Sequence, residues 1–257
     1  MRQRLMTGMG LLALAGSTLA AGTVKTVGYH NVHLRVADPA KAIEWYTKHL
    51  GATVAPPPYS VAFGKTVIAF VKVDNGQPSA GSVIDHIGLS YADLDAKMKD
   101  FQAGGAKIVT PVRDVQGLFK LGFIEDPWGV KIEVVQDTEQ LGFHHVHLRV
   151  KDPETTLKWY EEMLGGERSK LKGRIDGLRY SGVWLLAAAA GNDSPVPSVD
   201  RAIMNLAFQV ASVDESTAAL KGKQVKAVVG PNSIPNGTLR YAFFDDPNGA
   251  RFELVQP

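Results

Sequence analysis

The stretch FHHVHLRV, Phe143 to Val150, has a near copy in YHNVHLRV, Tyr29 to Val36. The likeness runs on from there. HNVHLRVADPAKAIEWYTKHLGA, residues 30–52, matches HHVHLRVKDPETTLKWYEEMLGG, residues 144–166. Later, FIEDPWGVKIEVVQ, residues 123–136, matches FFDDPNGARFELVQ, residues 243–256. Two matches in the same order mean that a whole domain has been duplicated. The copies span about 28–137 and 142–257, joined by a short polar linker from Asp137 to Gly142.

Each copy repeats one pattern. Val32-His33-Leu34-Arg35-Val36 alternates apolar and polar residues, so its side chains divide between the two faces of a strand. A helix follows, with Asp38 to cap it, Pro39 for its first turn and Gly51 to end it. Ile43, Tyr46 and Leu50 recur on one face of that helix, which predicts its burial. Asp152, Pro153, Leu157, Tyr160, Leu164 and Gly165 repeat the device. A strand over Val67 to Val73 comes next. The strand–helix unit then restarts at Ile84 to Tyr91, with a second helix over Asp93 to Gly104. Two strands close the copy around the turn Asp126-Pro127-Trp128-Gly129, echoed by Asp246-Pro247-Asn248-Gly249. The chain therefore holds four modules, and the fold class is α+β.

Composition narrows the function. The 257 residues carry 28 Lys and Arg against 26 Asp and Glu. Arg2 and Arg4 lie in a segment that reads as an export signal: a basic start, an apolar run from Met9 to Ala15, and the small residues of Thr18-Leu19-Ala20. Cleavage after Ala20 or Ala21 would remove residues 1–20 or 1–21 and leave a protein of balanced charge, periplasmic or secreted. The apolar run is too short to span a bilayer, so no membrane association is expected after cleavage. Balanced charge argues against a nucleic-acid partner. The absence of cysteine excludes disulfides, thiolate catalysis and thiolate-bound zinc.

The LRV strand, the Asp-Pro helix with Trp-Tyr and Leu-Gly, and the late Asp-Pro-x-Gly-x-x-x-Glu resemble the vicinal oxygen chelate superfamily, to which glyoxalase I, fosfomycin-resistance enzymes, extradiol dioxygenases and bleomycin-binding proteins belong. The resemblance implies four βαβββ modules forming two such domains, each pair of modules curling a sheet around a cavity. It implies metal ligands at three recurring places. The first-strand position is held by Asn31 and His145, the strand opening the second module by His86 and Asn205, and the last strand by Glu133 and Glu253. Pairing within copies would leave each site one histidine short. Pairing across copies, as the resemblance to glyoxalase I implies, gathers His86, Glu133 and His145 into a complete triad and leaves Asn31, Asn205 and Glu253 as a set without imidazoles.

Two neutral imidazoles and a carboxylate suit a divalent ion, Fe, Mn, Ni, Co or Zn, with open positions for a small substrate bearing adjacent oxygens. His147, two residues after His145, should share its face and handle protons. His144 should point the other way. Trp184 is expected on the substrate wall, Trp45 and Trp159 in helix packing, and Arg35 and Arg149 as strand anchors. The run Gly182 to Ala187, where glyoxalase I would place an acidic or amide ligand, has neither. That argues against lactoylglutathione lyase activity, and cross-copy pairing lowers the case for catechol cleavage. A metal-free sequestering protein of the bleomycin-resistance type is the alternative, motivated by the apolar run Trp184 to Ala190. Since the duplication supplies a pairing within one chain, a monomer is expected.

Overall fold

The computed structural model describes residues 22–235, 237 and 239–257; the expected export signal at 1–21 lies outside them. Among the described residues, sixteen strands and four α-helices follow in module order. The first module holds β1 (Thr26–Val36), α1 (Pro39–Trp45), β2 (Thr53–Ala55), β3 (Ser60–Phe63) and β4 (Thr66–Lys72). The second holds β5 (Ile84–Ser90), α2 (Leu94–Ala103), β6 (Lys107–Asp114), β7 (Lys120–Glu125) and β8 (Lys131–Val135). The third holds β9 (Gly142–Val150), α3 (Pro153–Leu164), β10 (Glu167–Leu171), β11 (Ile175–Tyr180) and β12 (Val183–Ala189). The fourth holds β13 (Ile203–Val210), α4 (Val213–Gly222), β14 (Val229–Ser233), β15 (Arg240–Asp245) and β16 (Arg251–Gln256).

The sheets cross the repeat. One runs β14-β15-β16-β13-β1-β4-β3-β2 and joins the first module to the fourth. The other runs β10-β11-β12-β9-β5-β8-β7-β6 and joins the second to the third. In each, the opening strands of two modules meet antiparallel at the centre, β1 with β13 and β5 with β9. Neither repeat closes a sheet alone.

The alternation seen in the sequence sets which side faces inward. Val32, Leu34 and Val36 of β1, and Val146, Leu148 and Val150 of β9, are almost fully buried. They join one hydrophobic core that draws on both sheets and all four helices. Residues between them, His33 in β1 and both His145 and His147 in β9, turn to the other face, where each sheet curls around a cavity. The helix ends behave as their residues require. The Asp38 carboxylate accepts from the amides of Ala40 and Lys41 and that of Asp152 from Thr155, each satisfying amides that have no partner inside the helix. Helix α1 is shorter than its pattern implied: at Tyr46–Leu50 it widens into a π turn, which ends at Gly51 with φ of 77°.

The late turns tie modules together. The buried Asp126 carboxylate accepts from the amides of Trp128 and Val130 and from the Tyr46 hydroxyl at 2.8 Å. Trp45 donates to the Gly104 carbonyl at 2.7 Å and packs edge-on to Trp128, the helix-packing role expected of it. Trp159 packs against Phe252 in the same manner. Arg35 and Arg149 bond to Asp200 and Asp193 and so fasten strand ends.

Candidate metal centre

The central sheet brings His86 from β5, Glu133 from β8, and His145 and His147 from β9 to one spot. One ligand atom from each lies within 4.8 Å of all the others. These four residues come from both halves of the chain, as cross-copy pairing requires. His86 Nε2 lies 3.1 Å and His145 Nε2 3.0 Å from the same carboxylate oxygen, Glu133 Oε2. Ligands bound at about 2.1 Å to one first-row ion, at right angles, sit about 3 Å apart, so the spacing fits a shared cation. His145 Nε2 has no aligned hydrogen-bond partner despite its nearness to Glu133, and both ring nitrogens of His147 are sealed from solvent and unpartnered. A buried nitrogen without a partner is costly unless something occupies the lone pair, and a cation does so.

The surroundings fix which nitrogen points inward. His86 Nδ1 lies 2.6 Å from Asp85 Oδ1, a carboxylate that can only accept, so in the neutral ring Nδ1 carries the proton and Nε2, turned toward Glu133, is the nitrogen that can meet a cation. Lys131 Nζ holds the same Asp85 oxygen at 2.6 Å. On the other side His145 Nδ1 lies 2.8 Å from His144 Nδ1, and His144 Nε2 lies 3.3 Å from Asp137 Oδ2. With a proton on His144 Nε2 for Asp137, His144 Nδ1 accepts from His145, and His145 Nε2 is left as a donor of electrons. Both imidazole ligands are thus oriented by carboxylates, one directly and one through a second ring.

Charge and burial act together here. Burial works against a charged His86, but its bonds to Asp85 and Glu133 outweigh that and raise its pKa. Burial also opposes the Glu133 anion, yet His145 and His86 hold the carboxyl well below its usual range. His145 is lowered, burial prevailing over its attraction to Glu133. His147 is held well below the ordinary imidazole value by burial, then by His86 and His145. Glu133 therefore enters as an anion, and His145 and His147 as neutral rings, the forms in which these groups ligate.

Three expectations are corrected. His144 does not point away. Gly88 pairs with His145 while Leu89 pairs with Phe143, so His144 is the extra residue of a β-bulge, and its ring centroid lies 5.1 Å from that of His145. Asp137 lies in the connection but is not a solvated linker residue: it is buried and bonded by both His144 and Lys172. Trp184 also departs from its expected place. It pairs with His145 in register, but its ring packs on Leu171 and Leu186 beneath the Arg179 guanidinium, which lies 5.7 Å from the ring centroid, and does not line the cavity. Leu186, opposite His147, takes that wall.

Asp85 and Gly88 were missed in the sequence. A Cβ on Gly88 would lie 2.1 Å from the His145 ring, so this glycine is the space the imidazole occupies. The HIG spacing in DHIGLS was its only signal. The cavity of about 250 Å³ beside the cluster has walls that include Phe119, Phe123, Leu171 and Leu186, with the exposed Arg113 also at its lining.

The other sheet places Asn31, Asn205 and Glu253 together as the corresponding set. Asn205 Nδ2 is 3.4 Å from Glu253 Oε2, and His33 Nε2 is 3.7 Å from the same oxygen. Register gives Asn31 opposite Ala207, as His145 stands opposite Gly88.

Residues 28–134 and 142–254 each match the family model described as the Glyoxalase/Bleomycin resistance protein/Dioxygenase superfamily. A lactoylglutathione lyase of Arabidopsis thaliana is 25% identical over 88% of this chain and 90% of its own length. Among solved structures, glyoxalase I from Zea mays superposes with a TM-score of 0.68 at 21% identity, covering 90% of this chain and 92% of its own. A putative dioxygenase from Bacillus subtilis gives 0.64 at 14%, covering 91% and 86%. These likenesses establish the fold, two module pairs around two cavities, as expected.

Proposed function

Since the chain belongs to the Glyoxalase/Bleomycin resistance protein/Dioxygenase superfamily, and since one of its two cavities gathers a full ligand set, we propose that it is a metal-dependent enzyme. It acts on a small molecule bearing two adjacent oxygens, at one site shared by the two halves. The observation that carries this reading is the convergence of His86, Glu133 and His145 on one point, two of them within 3.1 Å of a single carboxylate oxygen.

His86, Glu133 and His145 would hold a divalent ion, with His147 beside them. Such an ion supplies Lewis acidity to the oxygens of a chelated substrate. The rest is done by the protein. His147, neutral and unpartnered, takes a proton from the carbon next to those oxygens and returns it. In this role His147 replaces the acidic or amide residue that Gly182 to Ala187 lacks, so proton transfer at carbon does not depend on that strand. Phe119, Phe123 and Leu186 exclude water, and Arg113 offers a cation to an anionic end of the substrate. Lyase or isomerase chemistry follows from a proton shuttle of this kind. It is also the chemistry that the name of the Arabidopsis relative carries. Export to the periplasm or medium after loss of residues 1–21, and action as a monomer, complete the reading.

The test begins with metal analysis of protein purified without added salts. We expect about one equivalent of a divalent ion per chain, lost from His86→Ala and from His145→Ala. His147→Ala should keep the ion and lose roughly 10²–10⁴-fold in turnover. A full equivalent retained in His86→Ala would overturn the assignment.

A further inference from the structure

The second cavity is larger than the first, about 660 Å³ against about 250 Å³. It lies where β1, β4, β13, β15 and β16 curl, at the place that corresponds to the metal centre in the other sheet. Its floor has lost the means to hold a cation, since asparagines stand at 31 and 205. It has not filled in. Val71, Met204, Ile234, Tyr241, Phe243 and Val255 give it an apolar wall. No lysine or arginine is among the lining residues.

Its floor is polar, buried and unfinished. Asn31, 6% exposed, lines the cavity, and its Oδ1 has no partner although its Nδ2 lies 2.8 Å from His30 Nδ1. His33 Nδ1, also at the lining, is likewise sealed from solvent without a partner. Unpaired acceptors at the end of an apolar chamber call for a donor, and a chamber of this size accepts a small organic molecule. We propose that this cavity is a second, metal-independent binding site for a neutral, mostly hydrocarbon alcohol or phenol, its hydroxyl seated on Asn31, His33 and Glu253.

The charge of the floor supports a neutral occupant. Burial, only partly offset by the bond from Asn205, lifts the Glu253 carboxyl to about 8, so at neutral pH it is an acid that can donate. Burial lowers His33 to about 4, which leaves that ring uncharged. A ligand hydroxyl can then donate to Asn31 Oδ1 while accepting from Glu253. An anion would find no cation there, and its desolvation would go uncompensated.

The probe is 2-naphthol, titrated into EDTA-treated protein and followed by calorimetry, with 2-naphthoate as the anionic control. We expect one site with a dissociation constant on the order of 10 µM and at least a tenfold preference for the alcohol. In protein carrying ¹³C-methyl methionine, the Met204 signal should shift on binding while Met98 and Met163 stay put. Ala69→Trp, which places a large ring beside His33 on the neighbouring strand, should weaken binding more than tenfold. Folding of that variant is checked by its spectrum, and the Met204 shift in the unaltered protein decides the matter without it. Failure to bind, loss of binding on EDTA treatment, equal affinity for 2-naphthoate, or binding with Met204 unmoved would each overturn the proposal. Metal content of the other sheet is measured on the same samples before EDTA treatment, so a missing metal centre and an empty second cavity give separate answers.

Discussion

Glu253 and Glu133 occupy matching places in the two sheets and titrate in opposite directions. Glu133 faces two imidazoles and is held down despite burial; Glu253 faces an amide and is pushed up by burial to about 8. In the unfolded chain the Glu253 carboxyl ionises near 4.5. Between those values the unfolded chain holds fewer protons than the folded one, so the Glu253 contribution is fully present below 4.5 and is lost as pH rises through about 8. Glu253→Gln keeps a neutral amide in place and removes this dependence. We expect it to melt higher than the parent at pH 9, by on the order of 5 °C, with the gap closing toward pH 5. Thermal denaturation across that range checks it, and equal melting temperatures at pH 9 would refute the raised pKa. His144 teaches a second lesson at this scale. Alternation along an ideal strand sends it away from His145, and only the bulge brings it back. No residue in FHHVHLRV announces that bulge. Asp85 and Asp137 were equally hidden, because what orients a ring is nearness in space, and a lone aspartate reads as a turn or a solvated charge.

The paired central strands explain how the ligand sets of the two cavities differ. At the β5–β9 crossing an imidazole faces a glycine; at the β1–β13 crossing an amide faces an alanine. The alanine of the second pair leaves no room for an imidazole, since a Cβ at the glycine position would lie within the imidazole ring of the first. Restoring histidine alone should therefore fail. Asn31→His with Asn205→His is expected to leave the stoichiometry at one ion per chain, while adding Ala207→Gly should raise it toward two. Elemental analysis of the double and triple variants distinguishes these outcomes. The strands, their order and the sorting of His against Asn were legible in the sequence because alternation and repetition are local or pairwise patterns. Trp184 and Leu186 were not distinguishable, since both lie on one face of β12. Only packing under Arg179 sends the larger ring behind the wall.

At the scale of the molecule, each half of the chain is an incomplete object. Separated at the 137–142 connection, each would expose the central edge of two half-sheets, a surface of unpaired amides and carbonyls over apolar residues. The first half expressed alone should aggregate or pair with itself. Such a self-pair would assemble Asn31, His86 and Glu133 at each site, one imidazole short, and should bind the ion at least about 10²-fold more weakly than the intact chain. Mixing the two halves should restore one ion site per complex, measured by metal content after gel filtration; a first half that is monomeric, folded and metal-loaded would refute the shared-site reading.

The order of the sheets along the chain also sets a timetable for synthesis. The sheet that carries His86, Glu133 and His145 is built from consecutive segments, residues 84–189, whereas the other joins β1–β4 to β13–β16. A chain that emerges from its N-terminal side can finish the first while its tail is still to come. The leading strand of the other sheet, β1, must wait for β13, and β13 for β16, so the apolar chamber cannot close until β16 emerges. A stop codon that removes only β16 would spare every residue of the ion site and still leave the newborn protein with an open seam.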